Sequence, residues 1–415
     1  MPMMDENRNG PKSGPADQGE QRHGPLHGVR ILDLTTVVMG PAATQILADM
    51  GADVIKVEQP AGDSMRWVGP FRHDGMGPLF LQANRNKRSV MLDLKTQQGR
   101  DALLAIAGTV DVLVSNIRPQ AMKRLGLDYE SLKRSNPSII FCAAVGYGSG
   151  GPDAGKAVYD DLMQAASGVS GLFRAIDGAP RYAPVNICDR VVGLHLVIAI
   201  TGALYHKLAT GQGQEVEVPM FETMAQFVLA DHMGGAAFVP PVGPMGYKRL
   251  MSRIRGPYAT SDGHLSLVVY TDPHWRAFSC LIGMPDLLDA DPRFRDLETR
   301  TQNAEIMGNF IAEHLPMRSN KEWIALLTKA DIPVSPVNAI EDLFNDPHLN
   351  AVDFFQDIEH PTEGLLKVCR FPLKFSKSPA TIRSLAPNLG ADTDQVLKEV
   401  ERFERKSNIK KAGNY

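Results

Sequence analysis

From residue 28 onward the apolar positions follow two different periods. Short runs rich in β-branched and aliphatic residues, "VRILDLT", "DVIKVE", "SVMLDL", "DVLVSNI" and "SIIFCAAVG", alternate with segments such as "MGPAATQILADMGA" and "TQQGRDALLAIAGTV", whose apolar residues recur every three or four positions. The first kind predicts strands and the second predicts helices. A parallel strand pair needs a long crossover, and crossover helices cover both faces of the sheet, so its strands are apolar throughout rather than alternating. The pattern therefore predicts an α/β fold, with four or five strands in a doubly wound parallel sheet.

After about Phe221 the pattern changes. "GGAAFVPPVGPMGYKRL" is a Gly/Pro-rich connector, and "YATSDGHLSLVV" predicts two short strands around an Asp-Gly turn. Four regions follow: a disordered tail over 1–27, a large Rossmann-like domain over 28–225, a smaller α+β domain over 226–332, and a segment over 333–415. The last is small to fold alone and is expected to return to the large domain. The N-terminal stretch is polar, rich in Gly and Pro, and lacks the apolar core of a signal peptide. The longest apolar run, Val191 to Leu204, is interrupted by His195 and two glycines and falls short of the roughly 20 residues of a membrane span. A soluble, cytoplasmic protein with no membrane partner is expected.

Composition narrows the function classes. The chain has 415 residues, 43% hydrophobic and 22% charged, which suits two or three globular domains. A net charge of -3 provides no global basic field, so nucleic acid is not expected as a partner, and an anionic ligand must be held by local cations. Cys142, Cys188, Cys280 and Cys369 are scattered and the eleven histidines show no metal-ligand spacing. Reduced core or near-core thiols and no metal are expected. No GxGxxG follows the first strand, and GxxxxGK[ST], GxSxG and HExxH are all absent. That argues against nicotinamide dehydrogenases, NTPases and the commonest hydrolases.

In doubly wound sheets ligands lie beyond the carboxyl ends of the strands. The loops there offer Arg66, Arg85, Lys87, Arg88, Arg118 and, slightly further on, Arg124. Such cations suit a phosphate-bearing ligand, although a solvated turn would read the same way. A second feature is Asp189, inside the otherwise apolar "APVNICDRVVGLHLVIAITGAL". An ionised carboxylate in apolar surroundings costs several kcal/mol or is pushed up in pKa. Asp189 reads either as the N-cap of a helix over Arg190–Leu208 or as a carboxylate held for chemistry. Neighbouring Cys188 has no base or cation in sequence that would make it a thiolate nucleophile.

Several ordered motifs then carry a resemblance: "GPAATQILADMGADVIKVE", "NRNKRSVMLDLK", "MKRLGL", "VGYGSGGP", "YDDLMQAASGVSGL", "TGQGQEVEV" and "DIPVSPVNAIEDLFNDPHL". In order and spacing the chain resembles the class III, CaiB/BaiF-type CoA-transferases. That family includes formyl-CoA and carnitine CoA-transferases and the alpha-methylacyl-CoA racemases. The resemblance implies that Asp189 is the nucleophile, that coenzyme A enters as a thioester co-substrate with no tightly bound cofactor, and that a small carboxylic acid is the acceptor. It also implies an interlocked homodimer. For coenzyme A contacts it implies Val37 and Val38 at the adenosine end, with Gln59 where some members have arginine. Asn86, Lys87, Arg88, Asn116, Arg124 and Leu125 would serve the nucleotide phosphates, and Tyr147 and Met220 would approach the thioester. Val145 stands where the formyl-CoA enzyme has lysine.

Racemases of the family pair the aspartate with a histidine, and Tyr159 occupies that place here. A phenol with pKa near 10 exchanges an alpha proton poorly at neutral pH. CoA transfer is therefore expected, and resemblance to one branch of the family implies succinyl-CoA as donor and a dicarboxylate-like acceptor; racemisation and non-catalytic acyl-CoA binding are the alternatives. His195, well inside the helix, reads as a packing histidine. Arg249, Arg253 and Arg255 are candidates for the far carboxylate of a dicarboxylic acid, or are solvated loop arginines.

Overall fold

The computed structural model describes residues 24–412, and side chains as far as 405, so the expected N-terminal tail lies almost wholly outside the described residues. The large domain runs β1 (Arg30–Leu34), α1 (Met39–Asp49), β2 (Asp53–Glu58), α2 (Pro78–Ala83), β3 (Lys87–Met91) and α3 (Gln97–Ala107). It continues β4 (Val112–Ser115), α4 (Pro119–Leu125), α5 (Tyr129–Ser135), β5 (Ile140–Val145), α6 (Asp160–Ala166) and α7 (Val169–Asp177), then α8 (Ile187–Thr210), β6 (Glu215–Pro219) and α9 (Met220–His232). The strand order is β3-β2-β1-β4-β5-β6, with every neighbouring pair parallel. The order reverses between β1 and β4, which opens a crevice at their carboxyl ends.

Alternate residues of the strands feed two cores. Ile31, Val54, Val112, Val114, Ile140 and Cys142 face α1 and α8, whereas Leu32, Ile55, Val57, Leu113 and Phe141 face α3, α5 and the C-terminal helix Thr393–Ala412. The sheet has six strands rather than the four or five expected. The sixth, "EVEVP", is an edge strand whose alternating glutamates are partly exposed, so it lacks the continuous apolar run of a central strand. Helix α8 also starts three residues earlier than expected and is 24 residues long. Its length and composition would suffice to cross a membrane. One face nevertheless lies in the core through Cys188, Val192, Leu196 and Ile200. Gly193 allows the close approach to α1, since a Cβ there would sit 3.0 Å from the carbonyl oxygen of Met39.

The smaller sheet pairs β7 (Tyr258–Ala259) and β8 (His264–Leu267) around the Asp262-Gly263 turn, and takes its third strand, β9 (Val334–Pro336), from just past residue 332. Its core is aromatic, with Trp275, Phe278, Phe294 and Trp323 buried together. After the hairpin β10 (Phe355–His360) and β11 (Gly364–Cys369), the chain returns to the large domain. The backbone N–H of Asp392 donates to the carbonyl of Ser89 (2.9 Å), Arg88 pairs with Glu399 (2.9 Å), and Val396 and Val400 enter the second core. Cys142 and Cys188 are buried, but Cys280 and Cys369 are exposed, so only half of the thiols have the expected placement.

Candidate active site

A cleft of about 460 Å³ opens at the carboxyl ends of β1, β4 and β5, and its walls bring together Val37, Val38, Asn116, Tyr147, Met220 and Asp189. The loop after β1 is tightly held. Asn116 accepts from the Thr36 N–H (3.1 Å) and donates to the Thr36 carbonyl (3.0 Å), while Asp63 accepts from the Val37 N–H (3.2 Å). Val37 has φ 73°, a conformation that a β-branched residue adopts only under constraint. On the opposite wall the glycine-rich loop after β5 is fixed by Glu222 and Glu217, which accept from the N–H groups of Gly148 (2.9 Å) and Ser149 (2.8 Å). Tyr147 packs against Phe221 with ring centroids 5.2 Å apart.

Asp189 lies in the first turn of α8, at its third residue, not at the N-cap, which is Asn186. The capping acceptor comes from another helix: Oδ1 of Asp160, the first residue of α6, accepts the Asp189 N–H at 2.9 Å, and Oδ2 of Asp160 accepts from Gln164 (2.6 Å). No donor among the described residues reaches the Asp189 carboxylate. Burial, and then the Asp160 charge, push its pKa up to about 6, with Arg190 pulling the other way. The stabilisation expected from a helix N-terminus is thus outweighed. With a pKa near 6, the group is still roughly nine-tenths ionised at pH 7. This is a carboxylate poorly solvated enough to be reactive and ionised enough to attack.

The neighbouring candidates separate cleanly. Cys188 is buried and its thiol is pushed up to about 12, first by burial and then by Asp160 and Asp189, so it is no nucleophile. Tyr159 lines the cleft and is 66% exposed. His195 donates from Nδ1 to the Val191 carbonyl one turn earlier (2.8 Å), as a packing histidine does.

The basic motif before β3 has a different role from the one expected. Lys87 is buried, and its three ammonium protons meet Asp33 (3.1 Å), the Pro41 carbonyl (2.9 Å) and Asn84 (2.9 Å). No donor is left for a phosphate. Burial lowers its pKa to about 8 against the pull of Asp33. Asp33 itself falls to about 2, because Lys87, Lys56 and the hydroxyls of Thr35 and Thr44 overcome the burial penalty. Asn86 binds Asp49 (2.7 Å) and the Thr381 carbonyl (2.9 Å) and accepts from Ser384 (2.9 Å); Arg88 pairs with Asp53 (2.7 Å) and Glu399. Asn86 and Arg88 thus fasten the C-terminal segment to the sheet, while Lys87 neutralises Asp33 inside it. Arg66 and Arg85 are likewise paired, with Glu58 (2.7 Å) and Asp49 (2.6 Å). Gln59, Arg124 and Leu125 also lie outside the cleft lining: Gln59 is exposed in the turn after β2, and Arg124 and Leu125 end α4. The cations that do line the cleft are Arg118 and Lys156.

Lys156, Asp160 and Glu217 are the site residues that sequence reasoning did not single out. A signal existed for one of them: the paired acids of "VYDDLMQ" fall at the start of a helix, where a carboxylate is an ordinary capping group. Nothing in sequence indicated that Asp160 caps a second helix, 29 residues away.

Comparison with known proteins identifies the family. The family model described as CoA-transferase family III matches residues 26–393. The chain belongs to CoA-transferase family III. It is therefore a class III CoA-transferase, an enzyme whose co-substrates are CoA thioesters and carboxylic acids. It is similar to the succinate–glutarate CoA-transferase of Agrobacterium fabrum, with 32% identity over 92% of this chain and 98% of the relative. It is also similar to the succinyl-CoA:mesaconate CoA-transferase of Haloarcula hispanica, with 30% identity over 91% of this chain and 96% of the relative. Among solved structures, a CaiB/BaiF family protein from Brucella suis superposes with a TM-score of 0.77 at 30% identity, covering 91% of this chain and all of that one.

Proposed function

We propose that this CoA-transferase moves CoA from succinyl-CoA to a dicarboxylic acid through covalent intermediates on Asp189. The observation that carries the proposal is the Asp189 carboxylate, unbonded to any donor among the described residues, in a cleft large enough for the pantetheine end of a thioester. Asp189 attacks the succinyl carbonyl, forming a mixed anhydride and releasing CoA thiolate. The thiolate attacks the aspartyl carbonyl, giving an aspartyl-CoA thioester and free succinate. The acceptor carboxylate then attacks that thioester, and the thiolate released again takes the acceptor's carbonyl from the second anhydride. Asp189 is regenerated, no proton is consumed, and every step exchanges one activated acyl group for another. The donor and the dicarboxylate class are supported by the names of the Agrobacterium and Haloarcula relatives.

Arg118, on the cleft wall and without an acidic partner among the described residues, is the cation placed to meet the nucleotide phosphates in this scheme; Lys156 on the same wall is paired with Asp153. Tyr159, which lines the same cleft as Asp189, stands where racemases of the family carry a histidine, and that supports transfer over racemisation. An interlocked homodimer is part of the same proposal. Its support is the apolar outer face of α8, where Ile198 is 65% and Leu208 84% exposed.

The test is exchange between succinyl-CoA and labelled glutarate, run on wild type and Asp189→Asn. Glutaryl-CoA should form only with the wild type. After incubation with succinyl-CoA alone, the proteolytic peptide containing Asp189 should carry the mass of CoA less water. Undiminished exchange in the variant, or an adduct on another residue, would refute the role of Asp189.

A further inference from the structure

A second cavity, of about 480 Å³, lies in the smaller domain and shares no lining residue with the Asp189 cleft. Its walls come from the connector over 247–258, the end of β8, and the helices Leu297–Gln302 and Ala304–His314. Three arginines, Arg249, Arg255 and Arg300, line it, and no aspartate or glutamate does. The only acid paired with any of them among the described residues is Asp272, which meets Arg300 from outside the lining. Arg249 lies over the Tyr270 ring (6.0 Å) with no acidic partner, and Arg255 has none either. Two polar atoms of the wall, Ser252 Oγ and Arg300 Nε, are buried without a hydrogen-bond partner. The remaining surface is largely apolar, including Trp275 and Met307.

Uncompensated cations in a concave site with apolar walls select an anion that has an apolar body. The planar fork of a guanidinium fits a carboxylate in a bidentate pair. An apolar wall gives nothing to a compact inorganic anion. The third connector arginine is not part of this constellation: Arg253 donates to the Ile176 carbonyl at the end of α7 (2.7 Å) and ties the connector to the large domain.

We propose that this cavity is a second binding site, for a short-chain organic carboxylate held by Arg249 and Arg255, separate from the cleft where acyl transfer occurs. The choice of a dicarboxylate as probe rests on the function proposed above; the site itself does not. It is tested by calorimetric titration of the full-length protein with glutarate, on wild type, Asp189→Asn, Arg249→Met and Arg255→Met, with glutarate-dependent thermal stabilisation as a second readout. Wild type and Asp189→Asn should bind alike, and each arginine variant should bind about tenfold more weakly. Far-ultraviolet circular dichroism should be unchanged in all four. Absence of saturable binding, or binding lost in Asp189→Asn but kept in both arginine variants, overturns the proposal. Displacement of glutarate by an equal concentration of inorganic phosphate also overturns it, because the cavity would then be an unselective anion hole. Exchange activity retained by Asp189→Asn would defeat the nucleophile assignment and leave this site standing.

Discussion

Replacing Asp189 by asparagine should make the protein more stable while abolishing its activity. The carboxyl pKa rises from 3.8 to about 6 on folding, because burial and Asp160 both oppose its charge. Two units correspond to about 3 kcal/mol of folding free energy, and partial solvent access reduces this to about 2 kcal/mol. The sign follows from the raised value. A carboxyl that binds its proton more tightly when folded makes the native state lose stability as pH rises from about 4 through 6, and the loss stays constant above 6. Asparagine has the same shape and no charge. The gain should therefore be complete at pH 7.5 and mostly lost at pH 4. For a domain of this size it amounts to about 4–8 °C in Tm. Thermal unfolding at both pH values, at fixed protein concentration, reads it directly. A variant no more stable than wild type at pH 7.5, or a gain that persists unchanged at pH 4, would refute the idea that Asp189 is an energetically unfavourable charge retained for function.

The same electrostatics predict that kcat/KM for acyl exchange falls on the acid side with an inflection near pH 6, and that Asp160→Asn moves this limb to lower pH, because the repelling charge is removed while an oxygen still caps the Asp189 N–H. An unmoved limb in the variant would show that Asp160 does not tune the nucleophile. Lys87→Met leaves Asp33 buried without its ammonium partner and should cost about 3–5 kcal/mol, seen as a lower denaturation midpoint, with KM for the CoA thioester unchanged in the protein that remains folded. A normal midpoint with a greatly raised KM would instead restore Lys87 to the ligand. Light scattering on the eluting protein should give twice 45.3 kDa, and Ile198→Glu should shift it toward the single chain; an unshifted dimer would place the interface elsewhere.

Much of the large domain was legible because its elements are written in local patterns. The four central strands, β1, β2, β4 and β5, feed apolar residues into both cores, and segments of helical period separate the strands along the chain. What was missed depended on distant partners. β6 takes its identity from pairing with β5, not from its alternating glutamates. The start of α8 depends on a carboxylate 29 residues upstream, so it could not be found by looking for a cap in front of the helix. The smaller sheet closes with β9, whose partner β8 precedes it by some 70 residues of chain.

The basic motif shows the same limit from the opposite side. A cluster such as "NRNKRS" has one composition whether its charges reach a ligand or neutralise acids inside the fold, and only the position of the acids decides. Here Asp33, Asp49 and Asp53 stand on or beside β1, α1 and β2, within reach of Lys87, Arg85 and Arg88, and each cation is taken. Removing Asp33 or Asp49 would strand a buried charge beside the strands that hold the C-terminal segment, whereas Arg88 would keep Glu399 if Asp53 were lost. The charges of the motif are therefore spent inside the fold. Arg118 lines the cleft and has no acidic partner among the described residues, which leaves it as the cation for the proposed ligand, whereas Lys156 beside it is paired with Asp153. A family motif thus places a function in a region, and the hydrogen-bond partners of each side chain determine which residues there are free to perform it.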